Sequence, residues 1–112
     1  MRGAEEAFAF DLDDEPTIAA AAAAFRAAPP DLVLVATGAL TLPDGTGPEK
    51  SLRQIDPDAL AANFRINTIG PAVIAKHWLP LLPRDRRSVF AALGARVGSI
   101  GDNRLGGWHG YR

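Results

Sequence analysis

The sequence has no cysteine, which excludes disulfides and thiolate metal sites and leaves the redox compartment undetermined. It has almost no net charge: 12 Lys and Arg against 13 Asp and Glu leave −1. No global field therefore draws the chain to nucleic acid or to an anionic membrane, and the three arginines among Arg84–Arg87 are too few for a nucleic-acid surface and read as a solvated turn. It also lacks an apolar run of bilayer length. Ile18 to Phe25 falls far short of the ~20 residues a transmembrane helix needs. Glu5-Glu6 stands where a signal peptide would run apolar. His77 and His109 have no carboxylate or cysteine at ligand spacing, so no metal site is expected. Internal repeats are absent. These absences leave a soluble cytoplasmic protein as the expectation.

What is present is a 112-residue chain, 47% hydrophobic and 22% charged, the profile of one modest globular domain. Ala7 to Asp11 is a short apolar run that reads as a strand. Asp13, Asp14, Glu15 and Pro16 then suit a helix start, and the alanine-rich stretch Thr17 to Ala28 is helical by propensity until Pro29-Pro30. Asp31 to Ala36 is continuous and apolar after its first residue, as in a parallel strand buried on both faces. Pro43, Gly45, Gly47 and Pro48 mark a loop. Asp56-Pro57 opens a helix expected to reach about Leu82, bent near Gly70-Pro71. On a helical wheel Leu60, Phe64, Asn67, Ile74 and Trp78 share one narrow face, with Ile66, Ile69 and Val73 roughly opposite. A helix apolar on two faces is buried twice, by its own sheet and by something else. Ser88 to Leu93 reads as a third strand, followed by a glycine-rich tail. Strand, helix, strand, helix, strand predicts an α/β fold with a parallel sheet of about three strands.

Few residues carry chemistry. Asn67 is polar inside an apolar stripe; the pattern fits either a locally satisfied core amide or one that positions a water or ligand. Ligands of an open parallel sheet bind beyond the carboxyl ends of its strands. Gly94 to Ser99 occupies that place, with Tyr111 following. Read from pattern alone, Ser99 and Tyr111 are ordinary loop polar groups. Trp108 either lines a substrate pocket or covers the end of the long helix, and His109 reads as a surface residue.

Taken together, these segments resemble the short-chain dehydrogenase/reductase family, especially its C-factor-like branch, from Phe8 to Arg112. Asp11-Leu12 resembles the family's acidic residue after the third strand, which lies against the adenine. Ala36-Thr37-Gly38-Ala39 is similar to the Asn-Asn-Ala-Gly element after the fourth strand. Asn67, in Ile66-Asn67-Thr68-Ile69-Gly70-Pro71, matches the catalytic asparagine. Tyr111 matches the tyrosine of the Tyr-x-x-x-Lys motif, and Asp102-Asn103-Arg104 with Gly106-Gly107 matches the C-factor-like lead into it.

The resemblance implies a partial Rossmann-like, doubly wound sheet over residues 1–112, in the order 3-2-1-4-5-6. It also implies NAD or NADP as cofactor, a small carbonyl or alcohol substrate, and self-association through the 57–82 helix. Asp11, Leu12, Ala36, Thr37 and Gly38 would then lie on the cofactor. Tyrosine would move the proton while hydride passes to or from the nicotinamide, and asparagine would hold a water in the relay. A free tyrosine has a pKa near ~10, and bringing it to ~7 takes about 4 kcal/mol, which the family obtains from its lysine and the cofactor's charge.

Three departures qualify that picture. The lysine that should follow Tyr111 by four positions lies beyond Arg112. The first βαβ unit, with the glycine-rich turn that cradles the pyrophosphate, has no counterpart here; Gly45 and Gly47 do not replace it. The family's serine aligns on Ala95, which has no hydroxyl, and Ser99 is the nearest candidate. The sequence therefore reads as an internal piece of an oxidoreductase, inactive alone. The alternatives are a non-catalytic remnant or a signalling or interaction protein of the C-factor-like kind.

Overall fold

The computed structural model describes residues 7–112. The acid cluster forms a turn that launches helix α1 (Glu15–Ala23). Thr17 ties the turn together: its hydroxyl donates to the Asp14 carbonyl at 2.7 Å and accepts the Asp11 N–H at 2.8 Å. The Asp13 N–H donates to the Asp11 carboxylate at 2.8 Å. This local network corrects the expected strand over Ala7 to Asp11. Residues 7–10 join no ladder, and Asp11 bridges only Asp14. A lone extended segment with no neighbour to take its N–H groups gains nothing from strand geometry. Phe8 instead stacks edge-on with Phe25 at 5.3 Å, and Phe25 leans on Trp78 at 5.2 Å. The same contact helps explain why α1 stops at Ala23 and not at Ala28: the chain tightens to i→i+3 bonds and carries Phe25 to the aromatic cluster.

Two strands, β1 (Leu32–Val35) and β2 (Val89–Ala92), pair in parallel with Leu32 opposite Val89 and Val35 opposite Ala92. Arg86 clasps Asp31 at 2.6 Å where both strands begin, and that hydrogen bond raises the arginine's pKa above its ordinary value. The architecture is α/β with a parallel sheet, as expected, but of two strands where about three were expected. The core lies on one face, where Ile18 of α1 and Val35 meet Ile74, with Leu12, Val33, Val73, Trp78 and Phe90 packed around them. The other face is open: Leu32 and Leu34 are 62% and 56% exposed. The expectation that β1 is buried on both faces fails because no second helix layer exists among the described residues.

The crossover between the strands is not one smooth helix. Asp56 caps α2 (Pro57–Phe64), accepting the Ala59 N–H at 2.8 Å. A π turn follows over Arg65–Ile69, then α3 (Gly70–Trp78) and a 3-10 turn, Leu79–Leu81. The cause is local. Residue 71 would ordinarily donate to the Asn67 carbonyl, but it is proline and has no N–H. The Gly70 N–H reaches back five residues to Arg65 instead. Asn63, Gly70 and Ile74 are the buried positions, Phe64 is exposed despite its place on the expected inner stripe, and Val73, expected opposite, packs on the core. Gly70 leaves room for the Leu12 side chain, since a Cβ there would lie 3.1 Å from it. No helix among the described residues is long and apolar enough to cross a membrane.

Ile18 is the largest fully buried side chain. Ile18→Ala is expected to cost about 2–5 kcal/mol, read as a fall in the urea midpoint; an unchanged midpoint would refute this core. Glu15 joins α1 to α3 through Lys76 and, at 2.8 Å, His77. The hydrogen bond from Lys76, then that from His77, holds its carboxyl below the ordinary value of 4.5. A carboxylate with a lowered folded-state pKa contributes stability above its unfolded value and loses it as pH falls through the folded one. Glu15→Gln should therefore lower Tm slightly at neutral pH and not at strongly acidic pH. Equal melting at neutral pH would show the clasp to be idle.

Candidate functional site

The chain leaves the carboxyl ends of β1 and β2 into one cavity of about 490 Å³. Ala36 to Leu40 form one wall, Phe64, Asn67 and Thr68 of the long helix a second, and Leu93 to Ala95 with Gly98 a third; Gly110 to Arg112 close it. Asn67 fixes the first two walls together. Its Oδ1 accepts the Ala39 N–H at 2.9 Å, and its Nδ2 donates to the Ala39 carbonyl at 2.8 Å. Gly38 permits this approach, because a Cβ there would sit 3.2 Å from Asn67 Oδ1.

Tyr111 reaches the cavity because the tail is folded tightly against residues 49 and 50. Gly107 has φ +69°, and a Cβ there would lie 3.1 Å from the Lys50 carbonyl. Trp108 has φ +55°, an uncommon conformation for a residue with a side chain. Its N–H donates to the Glu49 carbonyl, and it packs edge-on against Tyr111 at 6.2 Å. The Arg112 guanidinium then closes the loop, donating to the carbonyls of Gly107 (2.8 Å), Val97 (2.7 Å) and Gly106 (3.2 Å). The Gly110 N–H donates to the Glu49 carboxylate.

Of the residues singled out in the sequence, Ala36, Thr37, Gly38, Asn67 and Tyr111 line this cavity together. Ala95 lines it as well, without a hydroxyl. Ser99 does not line it: it lies outside on an exposed turn, where its hydroxyl accepts the Asp102 N–H at 3.3 Å. Asp11 is exposed on the turn before α1, and Leu12 packs into the core against Gly70, so neither lines the cavity. Among the described residues no three histidine or carboxylate side chains gather where a metal could be held.

Two participants went unnoticed in the sequence. Asn63 is buried one turn before Asn67 and accepts from its Nδ2 at 3.2 Å. The signal was a second asparagine at i−4 on the same helix face. Glu49 anchors the tail through its carbonyl and its carboxylate, and nothing in the local sequence marks it. Asn67→Ala would leave both polar groups of the Ala39 peptide without their partner, at about 1–3 kcal/mol. Faster hydrogen exchange at the Ala39 amide is the expected sign, and unchanged protection there would refute the clamp.

No protein-family model and no curated protein matches the chain. Solved structures do. A protein from Burkholderia multivorans described as a short-chain alcohol dehydrogenase matches with TM-score 0.77 and 26% identity, over 92% of this chain and 45% of its own. A short-chain dehydrogenase/reductase from Burkholderia multivorans, solved with bound NADP, matches with the same score and identity over 92% and 42%. A short-chain dehydrogenase from Streptomyces avermitilis shares the fold at TM-score 0.74 and 19% identity, over 95% and 36%. The chain thus spans less than half the length of each of these relatives. The architecture that brings Thr37, Asn67 and Tyr111 to one cavity is similar to part of these short-chain dehydrogenase structures.

Proposed function

We propose that the chain is the central part of a cytoplasmic NAD(P)-dependent short-chain oxidoreductase acting on a small carbonyl or alcohol. The observation that carries this reading is the convergence of Thr37, Asn67 and Tyr111 on one cavity at the carboxyl ends of two parallel strands. Tyr111 holds the proton that the substrate oxygen gains or loses. Asn67 stands at the cavity wall with its side chain committed to Ala39, and in this reading it takes part in the proton relay beside Tyr111. With no hydroxyl at Ala95 and Ser99 turned away, no serine hydroxyl meets the substrate oxygen beside Tyr111.

The groups present fit the nicotinamide end of the cofactor. Thr37 lines the cavity wall beside Asn67, and its Oγ1 is buried with no hydrogen-bond partner among the described residues, an unmet demand at that wall. Among the described residues the pyrophosphate end has no such cradle: Leu42 and Thr46 close a turn on themselves around Gly45. When bound, the cofactor supplies or accepts the hydride. In the parent we place self-association on the 57–82 helix, where Ile69 is exposed. The absence of a serine hydroxyl in the cavity favours, as the second reading, a remnant that keeps the fold for signalling or interaction and has lost the chemistry.

The polypeptide encoded by the full reading frame is expected to reduce members of a carbonyl panel with NADH or NADPH. Tyr111→Phe should lower that rate about 10²–10⁴-fold. Turnover indifferent to the substitution, or none at all in the folded parent, would select the second reading. Residues 1–112 alone should show no turnover and no micromolar affinity for either dinucleotide by calorimetry. Ile69→Glu should shift the parent towards monomer in light scattering, and an unaltered mass would remove the helix from the interface.

A further inference from the structure

Next to the Tyr111 cavity, and sharing only Leu40 and Gly110 with it, lies a second cavity of about 380 Å³ beneath the 40–56 segment. Its roof is held locally. The Leu42 N–H donates to the Thr46 carbonyl at 2.9 Å, and the Thr46 N–H donates to Asp44 Oδ1 at 2.8 Å. That second bond keeps the Asp44 carboxyl below its ordinary pKa. Its floor is Asn63, a polar residue only 7% exposed.

The orientation of the Asn63 amide follows from a chain of necessity. The Ala39 N–H requires an acceptor, so Asn67 must present Oδ1 to it, and the Ala39 carbonyl takes one hydrogen of Asn67 Nδ2. The other faces Asn63, which must therefore present its oxygen. The Asn63 NH₂ group is left as the free end of a side chain that lines the second cavity, and it donates to no group among the described residues. Gln54 repeats the pattern: its Oε1 accepts the Lys50 N–H at 2.8 Å, which leaves its NH₂ as a second donor. Apolar side chains of Leu40, Leu42, Ile55 and Leu60 complete the lining. Two carboxylates, Glu49 and Asp56, stand against one ammonium, Lys50, which disfavours an anion.

We propose that this cavity binds the carbonyl oxygen of an uncharged amide or ester carried on a short alkyl chain. The Asn63 NH₂ donates to that oxygen, and the alkyl chain lies on the leucines. The site is one helical turn, roughly 6 Å, from Asn67, so its occupant abuts whatever lies beside Tyr111. The inference goes beyond the reductase reading and stands on this cavity's own groups. Its test reads binding and not turnover, so the two fail separately.

The probe is N-butylacetamide, titrated into the ¹⁵N-labelled 112-residue chain. Saturable shifts of the Asn63 side-chain NH₂ and the Gly110 amide are expected. Asn63→Asp keeps an oxygen for Asn67 and removes the donor, and it should weaken binding about tenfold, the scale of one lost hydrogen bond. Ala59→Leu, which fills the cavity without altering Asn63, should do the same and decides the matter should the aspartate variant not fold. No saturable shift, affinity unchanged in the folded variants, or tighter binding of pentanoate than of the amide would each overturn the proposal.

Discussion

The amide of Asn67 is the constraint on which the site depends. One side chain supplies both the donor and the acceptor that the Ala39 peptide needs, and in doing so it pins the long helix to the chain as it leaves β1. A half-buried peptide group satisfied in this way is costly to unpair, so these two bonds hold the wall formed by Ala36 to Leu40 against the helix. Everything downstream follows from that. A Cβ at Gly38 would crowd the Asn67 amide, Asn63 must turn its oxygen inward, and the two cavities meet at Leu40 and Gly110.

The π turn over Arg65–Ile69 is the complementary constraint. Proline at position 71 removes a donor from the helix ladder, and the ladder responds by admitting one extra residue. Asn63, Gly70 and Ile74 lie on the buried side of the helix on either side of that turn. Gly70 then accepts the Leu12 side chain, which anchors the turn before α1. A single missing N–H thus couples the clamp at Ala39 to the packing of the chain's first described segment.

This also explains what was legible in the sequence. The parallel pair, the crossover between its strands and the cap at Asp56 were readable because each rests on local chemistry: an uncharged apolar run, a turn-rich loop, an acid before proline. The segment over Ala7 to Asp11 was misread because strand formation is decided by a neighbour, and composition cannot say whether one is present. The helical wheel misplaced Phe64 and Val73 because it centred the inner stripe on Leu60, whereas the buried face runs through Asn63, Gly70 and Ile74. Within the site, Asn67 was visible as a polar residue in an apolar stripe, and Thr37 and Tyr111 through motif resemblance. Glu49 was invisible, since its role arises only when a tail some sixty positions later folds back on it.

That tail shows how the site is assembled without secondary structure. Between Gly98 and Arg112 no element forms, and exposed Ile100 and Leu105 contribute nothing to a core. Order comes from backbone groups instead. Gly107 approaches a carbonyl that a Cβ would crowd, Trp108 adopts a left-handed conformation, and Arg112 gathers three carbonyls under one guanidinium. A left-handed tryptophan is unfavourable by itself. It persists here because the Trp108 N–H is taken by Glu49, its carbonyl by the Arg112 N–H at 2.8 Å, and its ring by Tyr111. The conformation that is least favourable locally is therefore the one that sets the tyrosine ring at the cavity, and relaxing it would move Tyr111 before it disturbed the sheet.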